Sequence, residues 1–480
     1  MVRRSIKTNA ILSTIKTLLS MVFPLITFPY ISRVLQVEAI GKYNFAASVV
    51  SYFVLLADLG IATYAIREGT RLREDRIQIS RFASEMVTIH ILSAVASIVL
   101  LCVATVLVLK LRSYWILILI LSIQIPMSVF GRSWIYSVYE EFGVITLTQV
   151  VFQFFTVVLL FLFVHTPQDL YVYTAVYVIS TAGANLLYGF YSKKYIDIRP
   201  VGLSGLKRHM KPILLIFATT ATTTIYVNSD TTILGWLVND EAVGIYSTAV
   251  KVYNIVKHII SAVIIVLIPR LTQYAGTERF KSFFNRVLQT LALLILPSMV
   301  GLFMLSENVI DILAGVQYMA AVTPLRLLCV ALGFSMFACL YASGVLIPNM
   351  QERAFLVATI ISAAVNIVLN FILIPYYSYT AAAFTTLVAE MVVLAICFAQ
   401  AKKYAPLEGV KRTLLCILLG CVAIVAVCMG IKRLDVGLYL ETILCVGSSV
   451  LAYCGVQVLL KNAVFTQTMN SAIKMLKRKG

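Results

Sequence analysis

The sequence predicts an all-α, polytopic membrane protein, and three observations carry that prediction. Hydrophobic residues make up 60% of the 480 positions and charged residues only 12%, with a mean hydropathy of +0.93; ordinary soluble chains carry roughly 25% charged residues. The apolar residues fall in runs such as Leu92–Leu109, Val144–Val164 and Leu414–Ile431. Each run is long enough to cross a hydrocarbon core at about 1.5 Å per residue. The basic residues gather on alternate connections, the pattern that orients membrane helices.

Fourteen spans are predicted, over 9–31, 41–63, 83–109, 114–137, 143–164, 170–191, 213–236, 243–268, 283–305, 321–346, 354–374, 379–400, 412–431 and 438–460. The even number puts both termini on one side. With the termini and the connections after even-numbered spans assigned to the cytoplasm, and Lys42, Arg286 and Arg412 at the span ends counted with the adjoining connections, that side holds 28 Lys and Arg and the opposite side 6. The asymmetry predicts cytoplasmic termini in the cell's cytoplasmic membrane. The basic N-terminus resembles the start of a signal peptide but lacks a small-residue cleavage site, so a retained first helix is expected.

An internal repeat appears at an offset of 203 residues. Glu38-Ala-Ile-Gly41-Lys-Tyr43 aligns with Glu241-Ala-Val-Gly244-Ile-Tyr246, and Ala46, Val49 and Arg67 continue onto Ala249, Val252 and Arg270 without a gap. Six spans separate the copies, so the halves run parallel about a pseudo-two-fold axis along the membrane normal. The expected organisation is two six-helix lobes, 1–199 and 200–400, followed by helices thirteen and fourteen with a basic tail in 401–480. The connection 193–211, with Pro200, Gly202, Gly205 and six basic residues, reads as the linker.

Composition also excludes several functions. The net charge of +18 sits in connections without interleaved aromatics, so no nucleic-acid partner is expected. The nine cysteines lie in apolar spans without a C-x-x-C pair and read as small helix residues, not as a metal site or disulfide framework. No G-x-x-x-x-G-K-[ST], H-E-x-x-H or G-x-S-x-G motif occurs, so neither ATP hydrolysis nor another enzymatic activity is expected. No cofactor or metal is implied.

Polar residues inside spans are costly in hydrocarbon and therefore face protein or water. Ser247, Lys251, Asn254, His258 and Ser261 recur at helical spacing in the eighth span, with Lys257 alongside. Shifted by the repeat, the stripe falls on Asn44, Ser48, Ser51, Leu55 and Asp58 in the second span. The first span shows Asn9, Ser13, Lys16 and Ser20, and the seventh shows Thr219, Thr223 and Asp230. These faces predict a wet central cavity between the two lobes, whose charge is net basic. Lys16, Arg132, Lys251, Lys257 and Arg326, with Asn254, are the candidate ligands for an anionic cargo. Asp58, Asp230, Glu390, Asn44, Ser48 and His258 are candidates for lining, ion handling or structural pairing, and Glu85 is a further acidic residue within a span. Plainer readings stand beside these. Lys16 and Arg132 are placed to snorkel, Arg326 follows Pro324 near an interface, and the carboxylates suit interhelical pairs. His258 fits a proton relay or a structural hydrogen bond, whereas His90 and His165 read as structural. Pro24 and Pro29 kink the first span, either as a hinge or for packing.

Several segments resemble the polysaccharide-biosynthesis flippases of O-antigen and capsule repeat units, within the multidrug/oligosaccharidyl-lipid/polysaccharide exporter superfamily. They are Phe28-Pro29-Tyr30-Ile-Ser-Arg33-Val-Leu35, Gly41-Lys-Tyr43-Asn-Phe45-Ala46, and Asp58-Leu-Gly60 through Arg67-Glu68. Trp134-Ile-Tyr-Ser-Val-Tyr-Glu140 is similar to a W-x-x-x-G-x-E pattern, with Val138 at the glycine. Asp230-Thr-Thr-Ile-Leu-Gly235 with Val243-Gly244-Ile-Tyr246 follows, then Asn366-Ile-Val-Leu-Asn370, Ile374-Pro375, Ala381-Ala382 and Glu390, with Tyr379 where a glycine is typical. The resemblance implies movement of an undecaprenyl-diphosphate-linked oligosaccharide to the outer leaflet by alternating access, coupled to an H+ or Na+ gradient. The implied partners are a polyprenyl-diphosphate-linked glycan, membrane lipids, and a polymerase with other export components. Three alternatives stay open: a peptidoglycan lipid-precursor flippase, a cation-coupled drug antiporter, which the net basic spans disfavour, and, from a different class, a membrane scaffold or polymerase subunit.

Overall fold

The computed structural model describes residues 6–477 apart from 200 and 408, and side chains from 23 to 470 apart from 200, 203, 204 and 408. Among the described residues there are helices and no strands. Among the described residues, eleven helices are long and apolar enough to cross a membrane, and Trp115–Gly131 adds a shorter apolar helical stretch. The chain is therefore a multi-pass helical membrane protein, as its hydropathy predicts.

Two of the helices are unusually long. Helix α1 (Ile6–Asp58) runs 53 residues but leaves helical geometry at Gln36, and α16 (Glu352–Ala401) runs 50 and breaks at Ser378. The expected first and second spans, and the eleventh and twelfth, fall on either side of these breaks. Both break residues have positive φ, a region that non-glycine side chains seldom enter. At the second break the left-handed residue is Ser378, so Tyr379 does not need the freedom of the family's usual glycine.

The fourth predicted span, 114–137, is not one helix. It divides into α5 (Trp115–Ser122), α6 (Gln124–Gly131) and α7 (Trp134–Val138). Pro126 accounts for the first break, because its ring collides with the carbonyl four residues back, at Ser122. The second falls at Arg132, whose φ is 48°.

By contacts the chain divides into two compact units, Met1–Gly244 and Ile245–Gly480. The predicted lobes follow the repeat, whereas this division follows packing, and α11 (Lys207–Leu237) packs within the first unit.

Unit one has a core of Ile61, Tyr64, Met86, Trp134, Tyr136, Tyr188 and Ile213. Lipid is as apolar as such a core, so close packing and interhelical hydrogen bonds must supply much of the cohesion. Glu85, on α3 (Arg76–Leu107), is 3% exposed and accepts from both Arg208 (2.6 and 2.7 Å) and His209 (2.8 Å) at the start of α11. The other ring nitrogen of His209 meets the Tyr64 hydroxyl at 2.8 Å. This carboxylate joins two helices and stays away from the site described below.

In unit two, the halves of α16 are stitched by buried amides and hydroxyls. Thr385 donates to Asn370 Oδ1 (2.5 Å), Asn370 to Asn366 (3.2 Å), and Ser362 to the Ala389 carbonyl (2.8 Å). Helices α17 (Val410–Lys432) and α18 (Leu438–Leu459) pack on α13 (Glu278–Met304), where Tyr453 donates to the Leu293 carbonyl at 3.1 Å.

Candidate functional site

The polar stripe predicted on the second span lines one cavity. Asn44, Ser48, Ser51, Leu55 and Asp58 all border a space of about 570 Å³ inside unit one. Opposite them, α11 contributes Thr220, Thr224, Asn228 and Thr231, and Gln124 of α6 and Thr63 of α2 (Ile61–Leu72) complete the polar surface. The spacing of 4, 4 and 3 along α11 puts its four residues on one helical face. That face lies one position round from the expected Thr219, Thr223 and Asp230. Asp230 itself is 6% exposed and does not line the space.

Asp58 is the acidic member of this lining among the described residues, and no Lys or Arg among them belongs to it. Its Oδ1 meets His90 Nε2 at 3.1 Å and accepts from Ser128 Oγ at 3.0 Å, with Ser128 and His90 themselves 3.3 Å apart. His90 lies on α3 and Ser128 on α6, so three helices converge on one carboxylate oxygen. Its Oδ2 has no partner among the described residues, and the side chain is 45% exposed. His90, which reads as structural from sequence, thus orients the cavity's charged group. Of the predicted lining residues, Asn44, Ser48 and Asp58 border this space.

The basic candidates lie elsewhere. In unit two, on α12 (Asp240–Tyr274), Lys257 bonds to Glu390 at 3.2 Å and to the Tyr253 hydroxyl at 3.1 Å; Glu390 is 8% exposed and Lys257 30%. Lys251 and Asn254 are half-buried on the same helix, and His258 is exposed. Arg326, on α15 (Val322–Tyr341), bonds to Glu307 at 2.9 Å, and Lys432 reaches the other Glu307 oxygen at 2.9 Å. Arg132 contacts Ser192 at 3.4 Å and lies over the Phe130 ring, while its Nε is buried without a partner. The side chains of Lys16 and of its stripe lie outside the described residues. Unit two also holds an apolar cavity of about 560 Å³, bordered by α12, α13, α17 and α18, whose surface suits hydrocarbon.

The family model described as polysaccharide biosynthesis protein matches residues 6–275. The chain belongs to the polysaccharide biosynthesis protein family. The match takes in the whole cavity of unit one and the stretch with Lys251 and Lys257, so the resemblance read from the sequence is shown. Among curated relatives, the Escherichia coli (strain K12) protein named "Putative O-antigen transporter" is 20% identical over 400 residues, which is 82% of this chain and 95% of that protein. The Shigella dysenteriae protein of the same name is 21% identical over 376 residues, covering 78% and 94%. Among solved structures, the lipid II flippase MurJ in an inward closed conformation superposes with a TM-score of 0.75 over 96% of this chain and 99% of that one, at 16% identity. A MATE transporter in the bent conformation gives 0.51 over 78% and 95%, at 17% identity. At such identities the structural likeness shows the fold alone. It agrees with the helical transporter architecture expected from the sequence.

Proposed function

We propose that this member of the polysaccharide biosynthesis family is a flippase, not an enzyme, and that it carries undecaprenyl-diphosphate-linked oligosaccharide units across the cytoplasmic membrane. The observation that carries this reading is the sequence match to two proteins named "Putative O-antigen transporter", across 95% and 94% of their lengths. A further feature supports it: the polar cavity of unit one, among membrane-length helices, suits a hydrophilic head.

In this reading α1 and α16 each make two crossings, which brings the total to fourteen with both termini cytoplasmic. Transport proceeds by alternating access coupled to a gradient of H+ or Na+. Lys251 and Lys257 are the proposed diphosphate ligands, since ammonium groups held out of water bind phosphate oxygens strongly. Lys257 must then exchange Glu390 for the cargo. The test is deletion of the gene followed by analysis of the lipid-linked intermediates. Accumulation of complete repeat units still attached to undecaprenyl diphosphate is expected. An unchanged pool of such lipids, with surface polymer still exported, would exclude the function.

A further inference from the structure

We propose that the cavity of unit one is the subsite for the sugar part of the cargo, with Asp58 as its orienting acceptor, and that the diphosphate is bound elsewhere. This rests on the flippase reading above. It adds the chemical class that the cavity takes.

Four features point to a neutral, hydroxyl-rich ligand. The lining is built from hydroxyls and amides, and the hydroxyls of Thr63, Thr224 and Thr231 make no hydrogen bond among the described residues. Asn44 spends its NH2 group on the Ile40 carbonyl at 2.9 Å, leaving its own oxygen to accept. The volume of about 570 Å³ falls in the range of small-molecule sites, roughly 300–1,000 Å³. Tyr177, Val54 and Leu55 add apolar surface on which the C–H face of a sugar ring can rest.

Asp58 supplies direction. His90 and Ser128 hold one carboxylate oxygen from two other helices, so the free oxygen is fixed before a ligand arrives. A site organised in advance loses less entropy on binding. A hydroxyl donating to a carboxylate makes a charge-assisted bond, about twice as strong as a neutral one. The same charge disfavours a diphosphate, because no lysine or arginine among the described residues of the lining offsets Asp58. Sugar and diphosphate are therefore sorted to different places.

The test uses the purified full-length protein in nanodiscs and two probes: lipid-linked oligosaccharide extracted from cells deleted for this gene, and undecaprenyl diphosphate itself. Binding is followed by native mass spectrometry. The wild type should favour the glycan-bearing lipid by about tenfold or more, the scale of one charge-assisted hydrogen bond. Asp58→Asn keeps an acceptor for His90 and Ser128, and Thr224→Val keeps the shape of the wall. Each should reduce glycan-lipid affinity by about three- to tenfold and leave undecaprenyl diphosphate binding unchanged. Full glycan-lipid affinity in both variants would overturn the subsite. So would equal loss of both probes, which would mark Asp58 as an ion or structural site. A wild type that binds both lipids equally overturns the subsite but leaves the flippase reading standing. One that binds neither removes that reading and the subsite with it.

Discussion

Gly41 and Gly244, the glycines of the two repeat copies, meet backbone to backbone. A Cβ placed at Gly41 would fall on the Asp240 carbonyl and 3.0 Å from the Gly244 nitrogen, and one at Gly244 would fall on the Val37 carbonyl. The shared motif thus marks a close approach between its own copies, which only residues without a side chain permit.

Gly41→Ala and Gly244→Ala should each destabilise the fold by at least about 1–3 kcal/mol, the cost of overpacking, because the obstacle is backbone and cannot rotate away. The Tm in detergent should fall for both. Gly447→Ala is the control. Beyond its own helix backbone, no atom of the described residues lies within 4 Å of a Cβ at that position in α18, so its Tm should hold or rise.

Breaking the Lys257–Glu390 pair from one side should be costly. Lys257→Met leaves Glu390, 8% exposed, without its cation, a loss on the order of 3–5 kcal/mol for a buried pair. The double variant Lys257→Met with Glu390→Gln should regain most of that stability, measured as a double-mutant cycle. If Lys257 binds diphosphate, the stable double variant should still fail to export polymer at normal membrane abundance.

Acid should loosen one corner of unit two. The hydrogen bond from Lys432, with the charges of Lys432 and Arg326, holds the Glu307 carboxyl below its ordinary value of 4.5. A lowered folded-state pKa gives stability that is present above about 4.5 and is lost as pH falls through the lower folded value. Because Glu307 is 45% exposed, solvent screening keeps the gain within roughly 1 kcal/mol. The Tm gap between wild type and Glu307→Gln should be present at neutral pH and close under strong acid. A gap independent of pH would contradict the assignment.

The helices, the breaks and part of the site differ in how far they could be read from the residues. Membrane character follows from hydropathy, because hydrocarbon admits few charges. The Asn44–Asp58 stripe was legible because a continuous helix keeps its period. Gln124 and Ser128 were not, since Pro126 resets the helical phase within the fourth span. The role of His90 was hidden because its partner, Asp58, lies 32 residues away on another helix. The partners of the basic residues were hidden for the same reason. The sequence shows that Lys257 and Arg326 lie inside spans, but not that Glu390 and Glu307 already hold them.

Transbilayer movement itself is the most direct test. Full-length protein reconstituted into liposomes with lipid-linked oligosaccharide in both leaflets should let an added glycan-modifying reagent reach nearly all of the lipid. Protein-free liposomes should expose only the outer half. Equal exposure with and without the protein, under imposed H+ and Na+ gradients alike, would contradict the central claim.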